Sequence, residues 1–337
     1  MASATVTLGI AGALGIPESR CSQLQLRSAA AGGNSRVYVF TVNERTLVAK
    51  QYFRGPSDAR DRLQAEWAFL EYAVGAGIDC VPKPVARNSE YSIGIYEYIA
   101  GRHLATQDVS RARVQEAAAF FLSLNDAAHR PAAALLAPAS EACFTILEHI
   151  AIVDSRVARL SGIRGSSDED LAASTFVKSL QARWLEVREH ILRTTRAAGR
   201  DPAEEVEERC VSPSDFGFHN ALLRETGSLC FLDFEYAGWD DPAKLVADFF
   251  SHPGVPVPRE HFEGFAKTVL SFSRHSAALE ARTRLLELLF RIKWCCIVMN
   301  EFVPEAAERR RFAMPDADAT ARKRRQLYKA RSLLGSL

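Results

Sequence analysis

The chain has 337 residues, 47% hydrophobic and 25% charged, and its 42 basic side chains nearly cancel 41 acidic ones to leave a formal charge of +1. That length exceeds one compact core and implies two lobes or domains, while the ordinary globular composition excludes long disordered tracts, collagen-like repeats and coiled-coil rods. The balanced charge supplies no global field for nucleic acid or membrane, and no apolar run is long enough for a membrane-spanning helix.

In chain order, Met1 to Pro17 is apolar like a signal peptide but carries no Lys or Arg before Arg20. A secretory leader needs a positive n-region, so a cytoplasmic protein is expected. The cysteines, Cys21, Cys80, Cys143, Cys210, Cys230, Cys295 and Cys296, form no C-x-x-C pair and read as reduced thiols. Residues 36–42 and 46–53 alternate β-branched or aromatic types around Asn43-Glu44-Arg45, the pattern of a β-hairpin. Residues 59–74 change to helical spacing, with Leu63, Trp67, Leu70 and Val74 in one stripe, and two further strands are expected at 85–88 and 91–98.

Beyond Gly101 helical patterns dominate, at residues 111–129, 141–160, 171–195, 259–273 and 279–302, and the acidic stretch 200–210 also reads as helix-like. One β interruption intervenes, with short strands at 221–224 and 229–233 around Glu225-Thr-Gly-Ser228. The layout is a two-lobed α+β protein: a strand-rich N-lobe over residues 1–100 and a helical C-lobe over 101–337. The basic C-terminal stretch, Arg309-Arg310-Arg311 and then Arg322-Lys323-Arg324-Arg325, reads as a solvated helix. Leu327, Arg331 and Leu334 would face the C-lobe.

The chemistry concentrates in Ser212-Pro-Ser-Asp215-Phe-Gly-Phe-His-Asn220, followed one hairpin later by Phe231-Leu-Asp233-Phe-Glu235. An Asp, an Asn five residues on and an Asp after the next strand reproduce the spacing of a kinase catalytic loop and its metal-binding segment. Asp215 would accept or orient the acceptor hydroxyl's proton, and Asn220 and Asp233 would offer hard oxygens to magnesium on ATP. Asp and Asn also make plain loop turns, but a carboxylate closing an apolar strand needs a cation or donors. Asp215-Phe216-Gly217 spells the metal-binding tripeptide of protein kinases, yet nothing upstream supplies a catalytic loop with its own Asn, so Asp215 takes the base position.

Lys50 shares a strand face with Val48 and Tyr52, where its ammonium would reach nucleotide phosphates, and Glu66 lies on the inward side of the following helix as its partner. Gly32, Gly33, Asn34 and Ser35 join two strands and would lay backbone N–H groups over phosphates. Tyr96-Glu97-Tyr98-Ile99 would offer adenine main-chain groups, at Glu97 and Ile99, before Gly101 lets the chain turn.

From about Gln23 to Phe302 these features resemble the aminoglycoside phosphotransferase and choline kinase superfamily, protein-kinase-like enzymes that phosphorylate small molecules. The segment from Phe231 to Phe250 carries the resemblance most strongly. It implies Asp233 as magnesium ligand, Asp248 as a fold anchor, Asp215 as base, Asn220 as second metal ligand, Lys50 with Glu66 in the nucleotide site, and ATP and Mg2+ as cofactors. Two departures stand out: Pro213-Ser214-Asp215 replaces the usual His-Gly-Asp, and Gly217-Phe218-His219 replaces His-Pro-Gly, with His219 expected to pack the loop.

Trp239, Asp240, Asp241, Trp294 and Glu301 are candidates for a pocket around a cationic acceptor, with aminoalcohols, sugars and aminoglycoside-like compounds all open. A nucleotide-binding pseudokinase, acting as a binding module, is the alternative. The joint presence of Lys50, Asp215, Asn220 and Asp233 stands against it. A protein acceptor is disfavoured because no Ala-Pro-Glu segment follows Asp233.

Overall fold

Alternating apolar residues and a tight turn set the first layer. The computed structural model describes residues 4–29, 35–55, 60–165, 167–304 and 318–335. Strands β1 (Arg27–Ser28), β2 (Ser35–Val42), β3 (Arg45–Tyr52), β4 (Pro84–Asn88) and β5 (Ile93–Glu97) form an antiparallel five-stranded sheet in the order β1-β2-β3-β5-β4. The β2–β3 turn is shorter than its sequence pattern indicates. Asn43 and Glu44 both take positive φ (48° and 62°), the geometry of a two-residue hairpin turn that matches strand twist.

Each face of this sheet acquires a helix. On the outer face α1 (Ala4–Leu14), which the sequence pattern did not mark as a helix, buries Val6 and Ile10 against Tyr38, Phe40, Leu47, Ala49, Ile93 and Ile95. It can approach because Gly9 has no side chain: a Cβ there would stand 2.6 Å from Ile93 Cδ1. On the other face lies α2 (Arg62–Gly75), capped by the Asp61 carboxylate, which accepts from the Gln64 N–H at 2.9 Å. Leu47 and Ala49 point to α1, so Lys50 and Tyr52, of opposite parity to them, point to the cleft side beside α2.

Past Glu97 the chain crosses to the helical lobe. Gly101 is required there by close approach, since a Cβ would meet the Leu223 carbonyl oxygen at 2.8 Å. Next, β6 (Arg102–His103) pairs with β8 (Ala221–Leu223), which pairs with β9 (Leu229–Phe231), so the crossing is fastened to the hairpin that follows the loop of residues 213–220. A second small ladder joins β7 (Cys210–Ser212) to β10 (Gly238–Asp240).

The helices of this lobe are α3 (Arg111–Leu124), α4 (Arg130–Ala133), α5 (Ile146–Leu160), α6 (Asp168–Ala197), α7 (Pro242–Ser251), α8 (Phe262–Val269), α9 (Ser276–Met299) and α10 (Ala319–Gly335). Several are shorter than their periodicity suggests, for local reasons. The Thr145-x-x-Glu148 capping box starts α5 at Ile146 rather than at Glu141. Gly199, at φ +71°, stops α6, and residues 200–209 run on as turns and irregular chain instead of helix. Leu327 and Ala330 of α10 are buried, whereas Arg331 is exposed; Arg309 to Arg311 lie outside the described residues. No helix among the described residues is long and apolar enough to cross a membrane.

Candidate active site

Aromatic anchors hold the loop between β7 and β8. Phe216 packs on Phe120, Phe231 and Phe249, and Phe218 on Phe249, so the loop's apolar residues are buried and its polar ones turn to the cleft. The side chain of Asn125, just past α3, mimics a strand partner for β7: it donates to the Val211 carbonyl at 2.9 Å and accepts from the Val211 N–H at 2.7 Å. Ser214 sits at φ +65°, a region that costs a residue with a Cβ roughly 1–2 kcal/mol. Its N–H donates to Ser212 Oγ at 2.9 Å, and its hydroxyl accepts from the buried Lys244 ammonium at 2.9 Å.

Asn220 closes the loop on itself. Its amide donates to the Asp215 backbone oxygen at 3.0 Å and approaches Oδ2 of the same residue at 3.5 Å, which aims its own oxygen elsewhere. Its backbone carbonyl accepts from the Leu232 N–H at 2.8 Å, bringing Asp233 beside the loop. Strand β9 ends at Phe231, so Asp233 lies two residues past it, at φ +66°.

Lys50 is the hub across the cleft. Its ammonium lies 2.7 Å from Glu66 Oε2 and 3.2 Å from Glu235 Oε2, and it pairs with Asp233 Oδ1. Arg62 binds the other oxygen of Glu235 at 2.7 Å, and the Tyr52 hydroxyl donates to Glu66 at 2.7 Å while meeting the Tyr96 hydroxyl at 2.6 Å. Burial alone would depress the Lys50 pKa, but Asp233, Glu66 and Glu235 outweigh it and push it well above the usual lysine value. Desolvation, with Glu235 and Glu66 adding to it against the pull of Lys50, pushes the Asp233 carboxyl up to about 7.

Asp215 goes the other way. Burial would raise it, yet His219, His252 and the Asn220 amide hold it below the ordinary carboxylate range. The His219 Nε2 stands 3.3 Å from Asp215 Oδ1, and its ring stacks on His252 at 3.4 Å between centroids. His219 therefore packs the loop and also touches Asp215. His252 is pushed down to about 3 by burial and by His219.

Lys50, Glu66 and Asp233 thus meet at one point, with Asp215 and Asn220 on the adjoining loop. Ser35 is buried at the start of β2, opposite Tyr52, while Gly32, Gly33 and Asn34 lie outside the described residues. Glu97 ends β5, where its N–H donates to the Lys83 carbonyl at 2.9 Å, and Ile99 follows in the crossing segment.

Of the residues considered for a cationic acceptor pocket, Trp294 and Glu301 line a cavity together with Asp215, whereas Trp239, Asp240 and Asp241 do not, and all five already have partners. Asp240 pairs with Lys244 at 2.6 Å, Asp241 with Arg282 at 2.7 Å and His149 at 3.1 Å, and Glu301 with Arg322 at 3.2 Å. Trp294 donates to Asp248 at 2.8 Å, and Trp239 to the Ala133 carbonyl at 2.9 Å. Sequence reasoning assigned no role to Glu235, Arg62, Tyr52 or His252. Two signals were present: Glu235 follows Asp233 by two residues, and Arg62 precedes Glu66 by one helical turn.

Residues 25–281 match the model of the phosphotransferase enzyme family (APH). The chain belongs to that family. It is a small-molecule kinase of the aminoglycoside phosphotransferase and choline kinase type, with a bilobal protein-kinase-like fold. A search of curated proteins by sequence found no match. Among solved structures it is similar to the choline kinase LicA of Streptococcus pneumoniae, at 18% identity and TM-score 0.58 over 97% of this chain and 99% of that one. It is also similar to an ethanolamine kinase of Plasmodium vivax (13%, TM-score 0.58, 94% and 84%) and to APH(2'')-IIa in complex with gentamicin (16%, TM-score 0.54, 93% and 91%). At these identities the likeness is one of fold.

Proposed function

We propose that this kinase transfers the γ-phosphate of ATP to a hydroxyl of a small polar molecule, with the N-lobe of residues 1–100 and the C-lobe of residues 101–337 enclosing the nucleotide. The observation that carries the reading is the convergence on Lys50 of Glu66 from α2 and Asp233 from the segment after β9, beside a loop that presents Asp215 and Asn220. Lys50, steered by Glu66, would hold the nucleotide phosphates. Gly32, Gly33, Asn34 and Ser35 would cover them, and the main chain at Glu97 and Ile99 would meet the base.

The donor set suits magnesium. Glu66, Asp233 and Glu235 offer carboxylate oxygens within 4.8 Å of one another around one lysine, an excess of negative charge that pushes Asp233 upward and that a hard divalent cation would relieve. Asp233 and the Asn220 oxygen would be its ligands. When bound, the ion offsets charge on the phosphates. Asp215, held ionised, orients the acceptor hydroxyl and takes its proton as the oxygen bonds to the γ-phosphorus and the bond to ADP breaks. The seven free cysteines support a reducing, cytoplasmic setting.

The test is ADP release measured across an acceptor panel of aminoalcohols, sugars and aminoglycosides, with magnesium titrated. Asp215→Ala is expected to lower kcat roughly a hundredfold or more while retaining ATP binding. Asp233→Asn is expected to abolish the magnesium-dependent rate in a protein that still folds. A folded Asp233→Asn enzyme with wild-type rate and magnesium half-saturation would remove the metal-ligand assignment.

A further inference from the structure

Beside Asp215 the C-lobe opens into a cavity of about 610 Å³, within the size range of small-molecule sites. Its wall includes Asp215 but not Lys50, Asn220 or Asp233, so its charges are distinct from those facing the nucleotide. Away from Asp215 the wall carries Arg156 and Arg159 from α5, Lys293 from α9, and Arg322 and Lys329 from α10.

Apart from Asp215, the carboxylates of this wall are already engaged. Glu141 lies 2.5 Å from Arg156 and 3.5 Å from Lys293, Asp248 accepts from Trp294 at 2.8 Å and lies 3.4 Å from Lys244, and Glu301 lies 3.2 Å from Arg322. Lys293, Arg156 and Lys329 retain donors. Lys293 is buried, yet its nearest carboxylate oxygens stand at 3.5 and 4.0 Å, beyond good hydrogen-bond length. Arg156 Nε is buried without a hydrogen-bond partner among the described residues. Lys329, half-buried on the same wall, has no carboxylate within salt-bridge distance among the described residues.

A hydroxyl compound bearing an ammonium would enter against this surplus of positive charge and, beyond Asp215 at the reacting end, find only engaged carboxylates. One bearing an oxyanion would complete the unused donors of buried cations, whose incomplete pairing is costly. We propose that the acceptor is an anionic hydroxyl compound, its carboxylate or phosphate held by Lys293, Lys329 and Arg156 while its hydroxyl faces Asp215. This rests on the phosphotransferase reading for the hydroxyl, and on the cavity alone for the charge.

The experiment is calorimetric binding to the full chain without nucleotide. The probes are glucuronate and glycerol 3-phosphate, compared with glucose, glycerol, glucosamine and choline. At least one anion is expected to bind about ten-fold or more tighter than its neutral and cationic counterparts. Lys329→Gln and Lys293→Gln should each weaken it about ten-fold, and the surface control Lys178→Gln should not. Glucuronate alone would identify a carboxylate, glycerol 3-phosphate alone a phosphate. Choline or glucosamine binding as tightly, no anion binding, or anion binding unmoved in Lys329→Gln would each overturn the proposal.

ADP release with the same probes separates the two readings. Anion binding of the expected pattern with no ATP consumed counts against phosphotransfer and leaves the charge assignment standing. Consumption driven by choline or glucosamine leaves phosphotransfer standing and overturns the anionic acceptor.

Discussion

Ser214 shows how one side chain can make up for an unfavourable backbone. At φ +65° a Cβ is strained, but the serine hydroxyl gives Lys244 a third partner beside Asp240 and Asp248. Two substitutions separate these effects. Ser214→Ala loses the hydrogen bond and keeps the strain, whereas Ser214→Gly loses the bond and relieves the strain. The Gly variant is therefore expected to be more stable than the Ala variant by about 1 kcal/mol. Urea unfolding of both measures this, and equal midpoints would show that the loop stores no strain at this position. Lys50 has the opposite character, since its burial is tolerable only through its partners. Glu66→Ala is expected to cost roughly 2 kcal/mol of stability and to raise the KM for ATP, because the Lys50 ammonium and the Tyr52 hydroxyl each lose a buried acceptor and Lys50 turns further toward Asp233. Wild-type KM in that variant would mean that Glu66 only packs the helix.

Among the elements, α7 depends most on charge. Asp241 caps it, accepting from the Ala243 N–H at 2.8 Å ahead of Pro242 at the first turn, and the same carboxylate binds Arg282 and His149. Burial opposes ionisation, but Arg282 and His149 outweigh it and bring the Asp241 carboxyl down to about 2. A depressed carboxylate contributes stability that is complete above its unfolded value near 4 and is lost as pH falls through 2. The contribution is on the order of 2 kcal/mol. Asp241→Asn should therefore be less stable at pH 7 and should decline less than the wild type between pH 4 and pH 2, as followed by urea unfolding at each pH. An identical acid decline in both proteins would place the titration elsewhere. Sequence reasoning assigned Asp241 no capping role and Asp240 no ion pair, although Asp-Pro before an apolar helix and a lysine four residues past Asp240 were signals for both. Arg282 had no such signal, because it is forty-one residues away from Asp241 and only tertiary packing brings it close. For the same reason the partners of Asp241 and Glu301, His149 of α5, Arg282 of α9 and Arg322 of α10, left no trace beside the motif. The β2–β3 hairpin and α2 were readable from period and turn residues. The α1 helix was not, since it is apolar almost all round and its fit depends on Gly9 meeting Ile93.

At the scale of the whole molecule the crossing near residue 100 marks where the chain passes between lobes, but the hydrophobic core does not divide there. Phe69 of α2 stacks on Phe234 at 4.5 Å, and Trp67, Tyr72 and Tyr96 join one buried cluster with Phe121, Phe216, Phe249 and Leu279. The ion pairs run the same way, from Lys50 and Arg62 on the sheet side to Asp233 and Glu235 on the other. Separating the lobes would expose the inner face of α2 and leave those charges without partners, so neither lobe has a low-cost route to unfolding alone. We expect a single thermal transition with coincident far-ultraviolet circular dichroism and tryptophan fluorescence. If magnesium and ATP bind at Lys50 and Asp233 as proposed, they should move that whole transition upward, by about 2.7 kcal/mol when ligand stands at a hundred times its dissociation constant. Asp233→Asn should keep the single transition and lose the magnesium-dependent part of the shift, because Lys50 still holds phosphate while the anionic ligand is gone. Two resolved transitions, with nucleotide moving only the first, would mean that the shared core is too weak to couple the lobes. In that case the boundary read from the sequence would also be a boundary of stability.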